Sequence, residues 1–89
     1  MANKRTLKHA INGICDELLV ECVAASLYGN EQHHDNAEAL FASIIRMQCD
    51  FISRVSHPEP GMPAKRYYKD LREKFSAQLS EHVDQIQSL

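Results

Sequence analysis

The sequence predicts an all-α fold, an up-down-up bundle of three long helices. Apolar residues return every third or fourth position along almost the whole chain, no run alternates as a strand would, and every proline falls between two of the periodic stretches. At 89 residues the chain makes one helical domain, residues 1–89, with a net stability of only a few kcal/mol. Its 44% hydrophobic and 25% charged residues belong to the globular range and not to the disordered one, so it should fold.

The first helix is expected from about Lys4 to Tyr28, with Leu7, Ile11, Ile14, Leu18, Cys22 and Ala25 three or four apart. It should stop at Gly29-Asn30, residues that tolerate the left-handed conformation of a helix end. Gly13 is its one weak interior position. The second helix announces itself with Asp35-Asn36-Ala37-Glu38, a capping-box pattern. Its apolar stripe is Leu40, Phe41, Ile44, Ile45, Phe51, Ile52 and Val55, and Ser43, Arg46, Asp50, Ser53 and Arg54 take the other face. It should end before Ser56-His57-Pro58-Glu59-Pro60-Gly61-Met62-Pro63. Pro63 suits the first turn of a third helix, which runs through Tyr68, Leu71, Phe75, Leu79, Val83 and Ile86. Connections of roughly six to eight residues then join helices of similar length.

Placed at about 100° per residue, helix 1 carries a second apolar group. Leu19, Val20, Val23 and Leu27 fall opposite the main stripe, so either the other two helices wrap helix 1 or a second copy or helical partner covers it. Two polar residues interrupt the other stripes. Gln48 lies at the centre of the apolar face of helix 2 and His82 among Leu79, Val83 and Ile86, so both are expected buried, each with a hydrogen-bond partner. With helices 1 and 3 running the same way, Cys22 and His82 would each sit about 27 Å from their helix starts and so share a layer.

Charge is uneven. Residues 1–10 carry Lys4, Arg5 and Lys8; residues 11–50 carry seven acids against Arg46 alone; residues 51–75 carry six bases against three acids; Glu81 and Asp84 follow. This reads first as complementary faces of neighbouring helices. The basic start of helix 3, Lys65, Arg66, Lys69, Arg72 and Lys74 with Tyr67 and Tyr68, could contact phosphates and stack on a base. Asp70, Glu73 and a pI near 6.2 argue against a dedicated nucleic-acid binder. Cys15, Cys22 and Cys49 are odd in number and form no Cys-x-x-Cys pair, so reduced thiols in a cytoplasmic chain are expected. No membrane span or secretory leader is expected. Glu31, His33, His34 and Asp35, with His57 and Glu59 in the other connection, fit no strong ligand template, and neither metal nor cofactor is assigned.

The runs Ile14-Cys15-Asp16-Glu17-Leu18-Leu19, Ala24-Ala25-Ser26-Leu27-Tyr28-Gly29 and Ser56-His57-Pro58-Glu59-Pro60-Gly61-Met62 resemble those of a family of small uncharacterised bacterial all-helical proteins. The resemblance spans nearly the whole chain and implies a bacterial cytoplasmic origin, with no catalytic residues to carry over. Function rests on the residues alone, and the second apolar face of helix 1 makes it expected to be non-enzymatic: interaction or self-association through Leu19, Val20, Val23 and Leu27, as a homodimer or with a helical partner. The alternatives are a small thiol enzyme or redox protein using Cys22 and His82, and weak nucleic-acid association through helix 3.

Overall fold

A computed structural model describes residues 4–28 and 31–89, with the side chains of residues 31–34 outside the description. Its elements are α1 (Lys4–Tyr28), α2 (Glu31–Ser56) and α3 (Ala64–Gln87), and no strand occurs among the described residues. At 25, 26 and 24 residues, the three helices are each about 36–39 Å long. They lie side by side in an elongated body of 48 × 19 × 16 Å. The fold is a three-helix bundle.

Contacts between the helices fix their directions. Cys22 lies against Ala37, and Asn12 and Asp16 lie against Gln48, so α1 and α2 are antiparallel. Phe51 meets Phe75, and Tyr67 and Tyr68 reach Arg54 and Val55, so α2 and α3 are antiparallel too. α2 is the shared wall of the bundle, since α1 packs chiefly against α2 and meets α3 least. Its buried row is Ala37, Leu40, Ile44, Met47, Phe51 and Val55. Ile11, Cys15, Leu18 and Cys22 close onto one flank of that row, and Leu71 and Phe75 onto the other. The rings of Phe51 and Phe75 meet edge to face at 5.2 Å, worth about 1 kcal/mol beyond their burial.

Two boundaries differ from expectation. α2 begins at Glu31, so the Asp35–Glu38 pattern lies within its second turn instead of starting it, and the first connection is shorter than six residues. The expected stop at Gly29-Asn30 falls outside the described residues. Pro63 is the residue just before α3, with φ −57 and ψ 135, and not its first helical residue; its carbonyl accepts the Tyr67 amide at 2.9 Å.

The connector is set by local chemistry. Glu59-Pro60-Gly61-Met62 forms a turn with the Met62 amide donating to the Glu59 carbonyl at 3.4 Å and Gly61 at φ +86, the combination of a type II turn. The two tyrosines then finish the end of α2. Tyr67 Oη donates to the Arg54 carbonyl at 2.8 Å and Tyr68 Oη to the Val55 carbonyl at 3.2 Å, while the His57 amide takes the Ser53 carbonyl at 3.0 Å. Three of the last four carbonyls of α2, which no helical amide reaches, thereby gain donors.

Opposite effects are expected at two glycines. Gly13 is exposed in mid-helix with open space where a side chain would stand, so Gly13→Ala should stabilise the fold by about 1 kcal/mol and raise Tm by roughly 4–8 °C. Gly61→Ala forces a side chain into a left-handed conformation and should cost about 1 kcal/mol. Thermal unfolding of the two variants tests both signs.

Candidate interaction surface

The antiparallel register of α1 and α2 turns one side of this hairpin away from α3, and the second apolar group of helix 1 lies there. Val20, Val23 and Leu27 are 68%, 46% and 76% exposed, while Leu19 is partly buried against the core. Helix 1 is therefore not wrapped by its neighbours, and of the four expected surface residues Leu19 only borders the patch. From α2 the half-buried Phe41 and the 39% exposed Ile45 extend the same surface. Ile45 was expected in the core; Met47 takes that place, buried beside Ile44. The difference is a helix rotation of about 40°, which brings Ala37 and Met47 into the buried row of α2 and turns Phe41, Ile45 and Ile52 towards its edge.

Val23, Phe41, Cys22, Ser26, Ala37 and Glu38 line a shallow cleft between the two helices. Towards the other end of the hairpin the surface turns polar. Gln48 Nε2 donates to Asn12 Oδ1 at 3.0 Å and to Asp16 Oδ1 at 3.2 Å, tying α2 to α1. Gln48 is half-buried at the edge of the seam, not buried at the centre of the apolar face. Nothing in a single-helix pattern could place it so; the signal was the pair of amide and carboxylate positions, Asn12 and Asp16, one turn apart on α1.

His82 and Cys22 do not form a functional pair. His82 is half-buried, and its Nδ1–H donates to the Gln78 carbonyl one turn back on α3 at 2.7 Å. It shares an open depression with Ser43, Arg46, Met47, Asp50 and Gln78. Cys22 is buried on the α1–α2 side, and its thiol lies 3.4 Å from the Ala37 carbonyl. Burial raises its pKa above the ordinary value. Cys15, fully buried, is pushed up to about 11, first by burial and then by the neighbouring Asp16 charge. A nucleophilic thiol needs the opposite shift.

At the start of α3, Lys65, Arg66, Lys69, Arg72 and Lys74 are exposed, whereas the two tyrosines are committed to α2. Tyr67 and Tyr68 pack edge to face at 5.4 Å with both hydroxyls on α2 carbonyls, which sets them into the α2–α3 corner. Arg54 stacks over Phe51 at 5.0 Å and pairs with Asp50 at 3.0 Å. The side chains of Glu31, His33 and His34 lie outside the description. Among the described ones, no three His, Cys, Asp or Glu side chains converge as metal ligands would, and no helix is long and apolar enough to cross a membrane.

The thiols give a pH test. Below about pH 9 both the folded and the unfolded chain hold the Cys15 proton. Between about 9 and 11 only the unfolded chain releases it, so stability should fall by the order of 2 kcal/mol across that window. Cys15→Ala, less stable at neutral pH for its cavity, should show a smaller fall when urea unfolding is measured at pH 7 and pH 10. At pH 7.5 a disulfide reagent should modify exposed Cys49 fast and the other two thiols only as the fold opens.

No protein-family model, curated protein or solved structure matches the chain, which leaves this surface and its chemistry as the ground for assigning a function.

Proposed function

We propose that the chain is a non-enzymatic interaction module that self-associates or docks a helical partner on the α1–α2 surface. One observation carries the proposal: Val20, Val23 and Leu27 stand exposed in adjacent turns of one helix, continued by Phe41 and Ile45 on the next. Scattered apolar residues on a surface need no explanation, but a patch spanning two helices resembles those that other proteins cover. The remaining chemistry is consistent with this. Both buried thiols are shifted away from reactivity, and His82 is spent on its own helix. A cytoplasmic setting suits three unpaired cysteines.

The residues of the patch should then matter little to folding. A Val20→Gln, Val23→Gln, Leu27→Gln variant should keep its helicity and melt within roughly 6–12 °C of the native chain, since well-exposed positions seldom contribute more than about 0.5 kcal/mol each. The same variant should lose any concentration-dependent association seen in sedimentation and any binding of a helical peptide. A drop in stability above about 2 kcal/mol would mean that the patch belongs to the core, and the interaction role would fall.

A further inference from the structure

We infer that the α1–α2 surface is shaped for a cationic amphipathic helix and not for a second copy of this chain. This partner class rests on the interaction role proposed above and adds its chemistry.

Between Ile11 and Ile45 the sequence holds six acids, Asp16, Glu17, Glu21, Glu31, Asp35 and Glu38, and no lysine or arginine. At the overall frequency of ten in 89 residues, such a stretch of 35 would carry about four. It builds most of α1 and the first half of α2, the part of the hairpin that bears Val20, Val23, Leu27, Phe41 and Ile45. Two of these carboxylates border the patch itself. Glu38 lines the cleft with Val23 and Phe41, and Asp16 is held over the other end by the Gln48 amide.

Glu38 is level with Val23, and Asp16 is seven residues from Val23 along α1, about 10 Å. Two turns of a docked helix cover that distance, so lysine or arginine at positions i and i+7 could meet both carboxylates. Leucine-like residues at i+3 and i+4 would lie between them on the apolar floor. A second copy offers no such match. A two-fold contact centred on Val20 and Val23 brings the Glu38 carboxylates of the two copies towards one another across the axis. The bases of α1, Lys4, Arg5 and Lys8, lie at the far end of the helix, and α3 exposes no large apolar residue beside its own bases, Lys65, Arg66, Lys69, Arg72 and Lys74, to fill the apolar floor.

The test uses two labelled synthetic helical peptides of about 18 residues, long enough to span the patch. They have identical leucine stripes and either arginine or glutamate at the i and i+7 flanks. Fluorescence anisotropy with the native chain should show the arginine peptide binding at least about tenfold more tightly than the glutamate peptide, and more weakly as salt rises from ~0.05 to ~0.5 M. Asp16→Asn with Glu38→Gln keeps the Gln48 acceptor at position 16. It should weaken the arginine peptide about three- to tenfold and flatten its salt dependence. Val20→Gln with Val23→Gln should remove binding of both. Equal affinity for the two peptides would overturn the cationic partner while leaving the interaction role standing, as would a native dimer in sedimentation that binds neither. Arginine-peptide binding that survives both variants would overturn it as well, by placing the contact elsewhere on the acidic chain. Unfolding of the Gln variants would instead strike the interaction role itself.

Discussion

The bundle depends on the buried row of α2. A chain of 89 residues has apolar surface for about one core, and here a single helix supplies the wall on which both neighbours close. Ala37, Leu40, Ile44, Met47, Phe51 and Val55 recur with three- and four-residue steps, so the row stays in line along the full length of the helix. α1 takes one flank of it and α3 the other, and little is left for α1 and α3 to share. Ile14 is accordingly exposed, although it sits at core spacing in α1.

That arrangement leaves α1 with more apolar surface than its partners can cover. Four of its residues, Ile11, Cys15, Leu18 and Cys22, are enough to seal the α2 flank. The apolar residues from Val20 to Leu27 on its far side then remain outward. The thiols that help make the seal become inert by the same act, since a buried sulfur surrounded by carbon is a poor place for a negative charge. Packing thus explains both the exposed patch and the raised pKa of Cys15 and Cys22, and it separates Cys22 from His82 by assigning them to opposite flanks of α2.

Polar groups do their structural work at the edges of this core. Gln48 joins α2 to α1 through Asn12 and Asp16, and the two tyrosines join α3 to the end of α2. In each case a long side chain keeps its apolar part against the seam and its polar end at the rim, where a donor or acceptor is within reach. Fold specificity in so small a domain comes partly from such matches, because a sliding register would leave Arg54 and Val55 carbonyls without their donors.

The sequence by itself determined the number of helices, the all-α class, the proline-bounded connector and the second apolar group of helix 1. Each is a local property: spacing along one chain segment, or a residue whose backbone freedom is restricted. What only the tertiary structure decided is where the helices face. Periodicity tells which residues share a side of a helix but not how far that helix is rotated against its neighbour. For that reason Met47 and Ile45 exchanged places, Gln48 moved from the centre of a stripe to its rim, and Cys22 and His82, level by counting, proved to lie on different sides. Tyr67 and Tyr68 could not be recognised as the closing of α2 either, since the carbonyls they satisfy lie 13 residues away in sequence and meet them only when α3 folds back. The exposure of Val20, Val23 and Leu27 was likewise a choice between wrapping and uncovering, settled by α2 rather than α1 taking the middle of the bundle.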